Sequence, residues 1–324
     1  MSDLPSNPGQ TDSMERDPFL PSQKVADRLE THLARRDEGN SARSEPHLVE
    51  ETAPAGPPPE ITSIEGPPVI EIRDLCKNYG GHLAVDHLNL AVGRGEFFGF
   101  LGPNGAGKTT TIKVLCGLVR PTSGAAMVAG IDVVRDPLEV KRRVGILPEE
   151  IHTYERLSGT ELLTFVGRLY DMDNVEIQSR AVDLLDVLDF SPDEASKLIV
   201  DYSMGMKKKI ALASALIHNP EVLFLDEPFN GIDAITSRSI RQILQKAVQS
   251  GMTIFFSSHI LEVVERLCSR LAIIADGRLV ADGTIDEIRQ TQMQAAEVGL
   301  DDMFVELVGG DREVRELDWL RSDI

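Results

Sequence analysis

Residues 97–109 read FFGFLGPNGAGKT, an apolar run that gives way at Gly102 to a glycine-rich turn. Residues 102–109 match the pattern GxxxxGK[ST] in full, between a strand-like run and a stretch that fits a helix, which is the context this pattern requires. Gly102, Gly105 and Gly107 let the backbone wrap a chain of phosphates with its N–H groups pointing inward, and the helix start adds the positive end of its dipole. Lys108 supplies a point charge for the β- and γ-phosphates, and the Thr109 hydroxyl supplies a ligand for Mg²⁺. Pro103, Asn104, Ala106 and Thr110 complete the expected ATP-binding stretch.

The chain around this turn alternates strands and helices. Upstream, VIEIRDLCKNYG (69–80) alternates as a strand and LAVDHLNLAV (83–92) gives another. A helix fits Lys108 to Leu118 and is stopped by Pro121 and Gly124. Between about 150 and 200 the apolar period becomes helical, with ELLTFVGRLY (161–170) and RAVDLLDVLDF (180–190) spacing Leu, Phe and Val at i, i+3, i+4. VLFLDEP (222–228) and MTIFFSSH (252–259) are short apolar runs with turn punctuation, as buried parallel strands should be. LAIIADGRLVADG (271–283) reads as a hairpin. These readings define an α/β fold: a P-loop NTPase core over 67–285, with a β-rich N-terminal part and a helical subdomain at about 150–205. Residues 286–324 form an expected helical extension, and no internal repeat is present.

Hydrolysis needs a second element, which holds the metal and prepares water. EVLFLDEP supplies it about 120 residues after the turn: an apolar strand ends in Asp226, with Glu227 next. An aspartate at a strand end can orient a Mg²⁺ water, and the adjacent glutamate can polarise the attacking water as general base. Alone, an apolar run ending in Asp-Glu is an ordinary exposed strand end. Behind a phosphate cradle it becomes a catalytic pair.

Composition narrows the rest. The chain has 324 residues and 42% hydrophobic content, enough for a sizeable core. Residues 1–66 differ: they are rich in Pro, Ser, Glu and Asp, run through AGPPPE and EGPP, and read as a disordered tail. Val25, Leu29 and Leu33 fall four apart within it, as on a transient amphipathic turn. A net charge of −19 repels nucleic-acid phosphates, so any nucleotide must be held by a local cradle, and no nucleic-acid partner is expected. Cys76, Cys116 and Cys268 are odd in number, widely spaced and without a CxxC, which speaks against disulfides and zinc and for reduced thiols. No run approaches the roughly 18 apolar residues of a membrane helix, and no secretory signal opens the chain. A cytoplasmic protein is expected.

Four further motifs stand in a set order, and with them the chain resembles the nucleotide-binding subunit of ABC transporters over about residues 68–308. YSMGMKKKIALASALIHNP (202–220) resembles the ABC signature stretch in its YSxGM form, and NGID (230–233) resembles the D-loop with Asp233. SSHILEVVERLCSRLAIIADGRLVADGT (257–284) resembles the switch-histidine segment with His259 as the switch, which as a lone residue would read as an ordinary buried histidine. YGGHLAVDHLNL (79–90) places Tyr79 where the family stacks an aromatic ring on adenine. The resemblance implies head-to-tail dimers, homomeric or heteromeric, in which each ATP touches the P-loop of one chain and Ser203 and Gly205 of the other. Ser203 also suits a plain helix N-cap.

Two positions depart from the family pattern. In VGILPEE (144–150), Glu149 stands where a glutamine usually reaches toward Mg²⁺ and the attacking water, keeping an oxygen ligand but adding charge beside the γ-phosphate. Met204 takes the first glycine position of the usual LSGGQ form, while Gly205 is retained. Neither change removes a catalytic group. YERLSGTELL (154–163), the YSxGM form and LDDMFVELVGG (300–310) resemble export-type subunits whose permease is a separate polypeptide. The implied protein is a peripheral ATPase on the cytoplasmic membrane face, powering export of an unnamed substrate. A soluble ABC ATPase acting on ribosomes would carry two cassettes and a basic linker, and a DNA-maintenance ATPase would insert long coiled coils or a zinc hook; neither feature is present.

Overall fold

The computed structural model describes residues 66–292 and Phe304. The expected tail up to residue 65, with its Val25–Leu33 turn, and the remainder of the C-terminal extension lie outside the described residues. The described chain builds two sheets. The smaller is antiparallel, in order β2-β1-β4-β5, from β1 (Ile70–Tyr79), β2 (His82–Val92), β4 (Ser123–Val128) and β5 (Ile131–Asp132). The larger runs β10-β9-β3-β8-β7-β6, from β3 (Phe97–Leu101), β6 (Val144–Leu147), β7 (Val222–Asp226), β8 (Thr253–Ser258), β9 (Arg270–Ala275) and β10 (Arg278–Thr284). Five of its strands are parallel and β10 returns antiparallel as the edge, the expected hairpin.

Strands β3, β7 and β8 are buried at every position, which is why they read as unbroken apolar runs rather than alternating ones. Their side chains still alternate between two faces. Phe98, Phe100, Phe224 and Phe255 point to a core shared with the antiparallel sheet. Phe97, Leu101, Leu223, Leu225 and Phe256 pack on the helical side. Phe255 lies between rings, 5.6 Å from Phe98, 5.1 Å from Phe100 and 5.6 Å from Phe224. Each such side chain contributes about 1.5–3 kcal/mol by leaving water.

The helices are α1 (Lys108–Leu115), α2 (Pro137–Arg143), α3 (Gly159–Leu169), α4 (Asn174–Val187), α5 (Pro192–Ser196), α6 (Met204–Leu216), α7 (Ala234–Gln249), α8 (Leu261–Leu267) and α9 (Ile285–Gln292). Helix α1 ends three residues earlier than its apolar pattern suggests, because Gly117 turns to φ +63 before Pro121 is reached. Helix α3 starts at a reciprocal cap, in which the Ser158 hydroxyl accepts from Glu161 N–H and the Glu161 carboxylate accepts from Ser158 N–H. Three strands and the helices α2, α7 and α8 were not expected from the sequence. β4 and β5 carry Ser, Gly and Asp, and β6 has only four residues, so none offers enough pattern to read.

Residue pairing in the parallel sheet sets the site. Leu101 pairs with Ser258 and Ser257 pairs with Asp226, so β3, β8 and β7 end together with β8 in the middle. The segments leaving these three strands therefore gather at one edge, where open α/β sheets bind ligands. Among the described residues, no helix is long and apolar enough to cross a membrane.

Candidate nucleotide site

The loop after β3 is shaped by glycines at two critical points. Gly107 sits at φ +104, and a Cβ there would come 2.3 Å from the Ala84 carbonyl oxygen. Gly102 has ordinary backbone angles, but a Cβ would lie 2.4 Å from the Ile274 carbonyl. Both are therefore required by close approach of backbone to backbone. From α1, the buried Lys108 turns back and donates to the carbonyls of Gly102 at 2.8 Å and Pro103 at 3.2 Å. The ammonium is held over the centre of its own loop.

The end of β7 faces this ammonium. Glu227 Oε1 lies 3.3 Å from Lys108 Nζ in an ion contact, yet this buried oxygen has no hydrogen-bond partner. The other carboxylate oxygen meets His259 Nδ1 at 3.0 Å. Glu227 holds φ +48, a left-handed conformation that costs a non-glycine residue roughly 1–2 kcal/mol. Ser257 secures the turn: its hydroxyl donates to Asp226 Oδ1 at 2.6 Å and accepts from Glu227 N–H at 3.1 Å. His259 is partly exposed, with 37% of its side chain open, and so is not the buried histidine a lone-residue reading would give.

A cavity of about 380 Å³ opens over these groups, lined by the phosphate loop with Thr109, Thr110, Tyr79, Glu149 and Glu227. Tyr79 is exposed at its rim, with Lys77 Nζ 4.7 Å from the ring centroid. Glu149 is exposed, and its charge acts on the buried Lys208. Burial pushes the Lys208 ammonium below its ordinary value, and the charges of Glu149 and Glu227 oppose that shift. A second cavity of about 460 Å³ beside Arg94, Glu221 and Thr253 lies at the other ends of the strands, away from the phosphate loop.

Asp226 and His259 adjoin Glu227 without lining the nucleotide cavity, and Ser203, Gly205 and Asp233 do not line it either. Ser203 caps α6, its hydroxyl accepting from Met206 N–H at 3.2 Å. Asp233 caps α7, accepting from the N–H groups of Ile235 and Thr236 and from the Thr236 hydroxyl. Gly205 packs on this cap, where a Cβ would lie 3.0 Å from Thr236 Oγ1. The signature stretch and the D-loop aspartate are thus neighbours within one chain, exposed at both Ser203 and Asp233.

Sequence reasoning missed three contributors. Ser257 ends an apolar run and precedes His259 by two residues, a polar step at a strand end that could have drawn notice. His82 lines the cavity from the start of β2 without any local signal. Lys208 sits in a run of three lysines, where sequence alone suggests a solvated face; only folding buries it to 2% exposure.

Phosphate loop, paired carboxylates and a partly exposed histidine at the strand ends define a P-loop nucleotide hydrolase. The chain's similarity to known proteins narrows this. The ABC transporter family profile matches residues 85–230. The probable multidrug ABC transporter ATP-binding protein YbhF of Escherichia coli is 34% identical over 259 residues, 76% of this chain, and the chain spans 43% of that protein's length. The bacitracin transport ATP-binding protein BcrA of Bacillus licheniformis is 37% identical over 236 residues, 72% of this chain and 76% of that one. A solved ATP-binding subunit of an ABC transporter superposes with a TM-score of 0.69 at 31% identity, covering 74% of this chain and 99% of the other. The chain belongs to the ABC transporter ATP-binding proteins and carries their ATPase domain.

Proposed function

We propose that this protein is the ATP-hydrolysing subunit of an export-type ABC transporter, working through a separately encoded membrane permease from the cytoplasmic face. The observation that carries the catalytic part is the line of contacts from Lys108 through Glu227 to His259, in which the buried Lys108 and Glu227 line the cavity. The names of the bacitracin-transport and multidrug relatives support the export reading. Neither is named for work on ribosomes or DNA.

In this reading the loop N–H groups and Lys108 hold the β- and γ-phosphates, and Tyr79 offers its ring to the adenine. Thr109, Asp226 and Glu149 present hard oxygen donors suited to Mg²⁺, and Glu227 Oε1, buried without a hydrogen-bond partner, fits a site completed by a ligand. Mg²⁺ supplies charge neutralisation on the phosphates when bound. Glu227 takes the proton of the attacking water, while Ser257 and His259 fix its backbone and carboxylate. Ser203 and Gly205 stand away from the cavity of their own chain, so they serve the nucleotide of a second ATP-binding subunit, homologous or identical. Asp233 lies at the same face. Residues 67–285 act as the ATPase domain, with the helices between about 150 and 205 as its helical subdomain.

Co-purification after mild detergent extraction tests the assignment. An integral membrane protein recovered stoichiometrically with this chain, and ATPase activity stimulated by it, is the expected result. A soluble chain recovered with ribosomes or DNA instead would overturn it.

A further inference from the structure

Cys76 on β1 and Asp86 and His87 on β2 bring one ligand atom each to within 4.8 Å of one another. Adjacent strand residues ordinarily face opposite sides of a sheet, so Asp86 and His87 should not meet. They meet because His87 adopts φ +49, which breaks the alternation and brings its Nε2 to 3.8 Å from Asp86 Oδ1. The facing strand has a matching irregularity. Asp74 adopts φ +50 where the β1–β2 register shifts, and its carboxylate meets His87 Nδ1 at 2.5 Å.

That contact engages Nδ1 and leaves Nε2 facing Asp86, which is how an outer carboxylate orients a metal-binding imidazole. The Cys76 sulfur accepts the His87 backbone N–H at 3.3 Å, which ties the thiol to the bend in β2. Asp86 is buried with one oxygen paired to Arg278 and the other turned to His87. The His87 ring is 67% exposed, so the cluster is open from one side.

We propose that Cys76, Asp86 and His87 bind a thiophilic divalent cation of the zinc class, with Asp74 orienting the imidazole and water completing the shell. A sulfur, nitrogen and carboxylate set selects such a cation over Mg²⁺, which prefers all-oxygen shells. The site is separate from the nucleotide cavity but tied to its loop. Asp86 N–H donates to the Gly277 carbonyl at 2.9 Å, and Gly277 N–H donates to the Ala106 carbonyl at 3.1 Å. No CxxC spacing announces the cluster, because eleven positions separate Cys76 from His87 and folding alone joins them.

The test uses the full, untagged, reduced chain without nucleotide, titrated with Zn²⁺ by calorimetry and with Co²⁺ by absorption. One Zn²⁺ per chain that depends on Cys76, and a thiolate-to-cobalt absorption band, are expected. Cys76→Ser should abolish the band. His87→Asn, which tolerates the left-handed backbone, should weaken Zn²⁺ at least tenfold, and Asp74→Asn about ten- to hundredfold. Cys116→Ser should bind as the parent does, and excess Mg²⁺ should not displace Zn²⁺. Absence of the cobalt band in the parent would overturn the proposal. So would unchanged Zn²⁺ affinity in Cys76→Ser and His87→Asn, leaving Asp74, His87, Asp86 and Arg278 as a charge network only.

Discussion

The ammonium of Lys208 donates to the backbone carbonyl of Glu227 at 3.1 Å and to that of Asn230 at 2.9 Å. Lys208 belongs to α6, the helix of the signature stretch, while Glu227 closes β7 in a left-handed conformation. One buried side chain therefore ties the signature helix to the backbone of the proposed base. Lys208→Met removes the donor, leaving the Asn230 carbonyl without this partner and the Glu227 carbonyl with Asn230 N–H alone, at a cost of about 1–3 kcal/mol. Thermal unfolding should show this as a loss of a few degrees. ATP affinity, measured on the same sample, should stay within a fewfold of the parent while kcat falls at least tenfold. Lys208→Arg, which keeps the charge, should recover part of kcat. Equal loss of affinity and turnover in Lys208→Met would show that the residue supports the whole domain rather than the position of Glu227.

Phosphate binding and water activation are carried by different side chains, so they should separate by mutation. Lys108→Ala deletes a charged contact worth about 1.5–3 kcal/mol, which predicts ATP binding weakened about ten- to hundredfold. Glu227→Gln keeps the shape and should leave binding intact while turnover falls by roughly 10²–10⁴. With Mg-ATP, size-exclusion chromatography of Glu227→Gln should reveal a stable dimer, since contacts across two chains persist when hydrolysis cannot release them. Normal turnover in this variant would refute the assignment of the base.

How far the sequence could be read depended on what each element had to bury or approach. The phosphate loop was legible because only glycine allows φ +104 at residue 107 and the close approach to Ala84. Strands β7 and β8 were legible because burial on both faces demands unbroken apolar runs. The role of Lys208 was not, because its neighbours Lys207 and Lys209 hide it among charges that stay near solvent. Nor could the Cys76–Asp86–His87 meeting be foreseen, since it depends on left-handed residues that are not glycine. Tyr79, Ser203 and His259 became candidates through motif order; their geometry adds exposure at the cavity rim, a helix cap, and a contact to Glu227.

Stability should respond to acid through His218. Its ring stacks on Tyr170 with centroids 3.7 Å apart, Nε2–H donates to the Val144 carbonyl at 3.0 Å, and Nδ1 is buried without a hydrogen-bond partner. Burial lowers its proton affinity below the ordinary 6.5, with nearby Arg180 adding to the effect. A histidine whose folded-state value is depressed binds more protons when unfolded. Stability is therefore full above about pH 6.5 and falls as the pH drops toward the folded-state value. Urea unfolding between about pH 7.5 and 5.5 should show this decline, and His218→Gln should flatten part of it. An identical slope in the variant would assign the acid sensitivity to other groups.

Glu149 lines the same cavity as Lys108 and Glu227, and its charge acts on Lys208 within the folded chain. Where a glutamine would be neutral, this carboxylate places a negative charge near the expected γ-phosphate. Two unit charges about 4 Å apart repel by roughly 4 kcal/mol at an effective dielectric near 20, and exposure of Glu149 reduces that figure. Mg²⁺ can screen the repulsion, so ATP binding should depend on the metal more strongly than in a glutamine-bearing version. Glu149→Gln should raise metal-free ATP affinity several-fold and lower the Mg²⁺ concentration needed for half-maximal binding. The same substitution removes a charge that favours protonated Lys208, so a small loss of thermal stability should accompany the gain in affinity. Calorimetry in EDTA decides between the two roles open to this side chain. Higher affinity in Glu149→Gln supports the electrostatic one, whereas equal affinities would mean that the side chain serves the subdomain hinge or the permease and that only its backbone matters at the nucleotide.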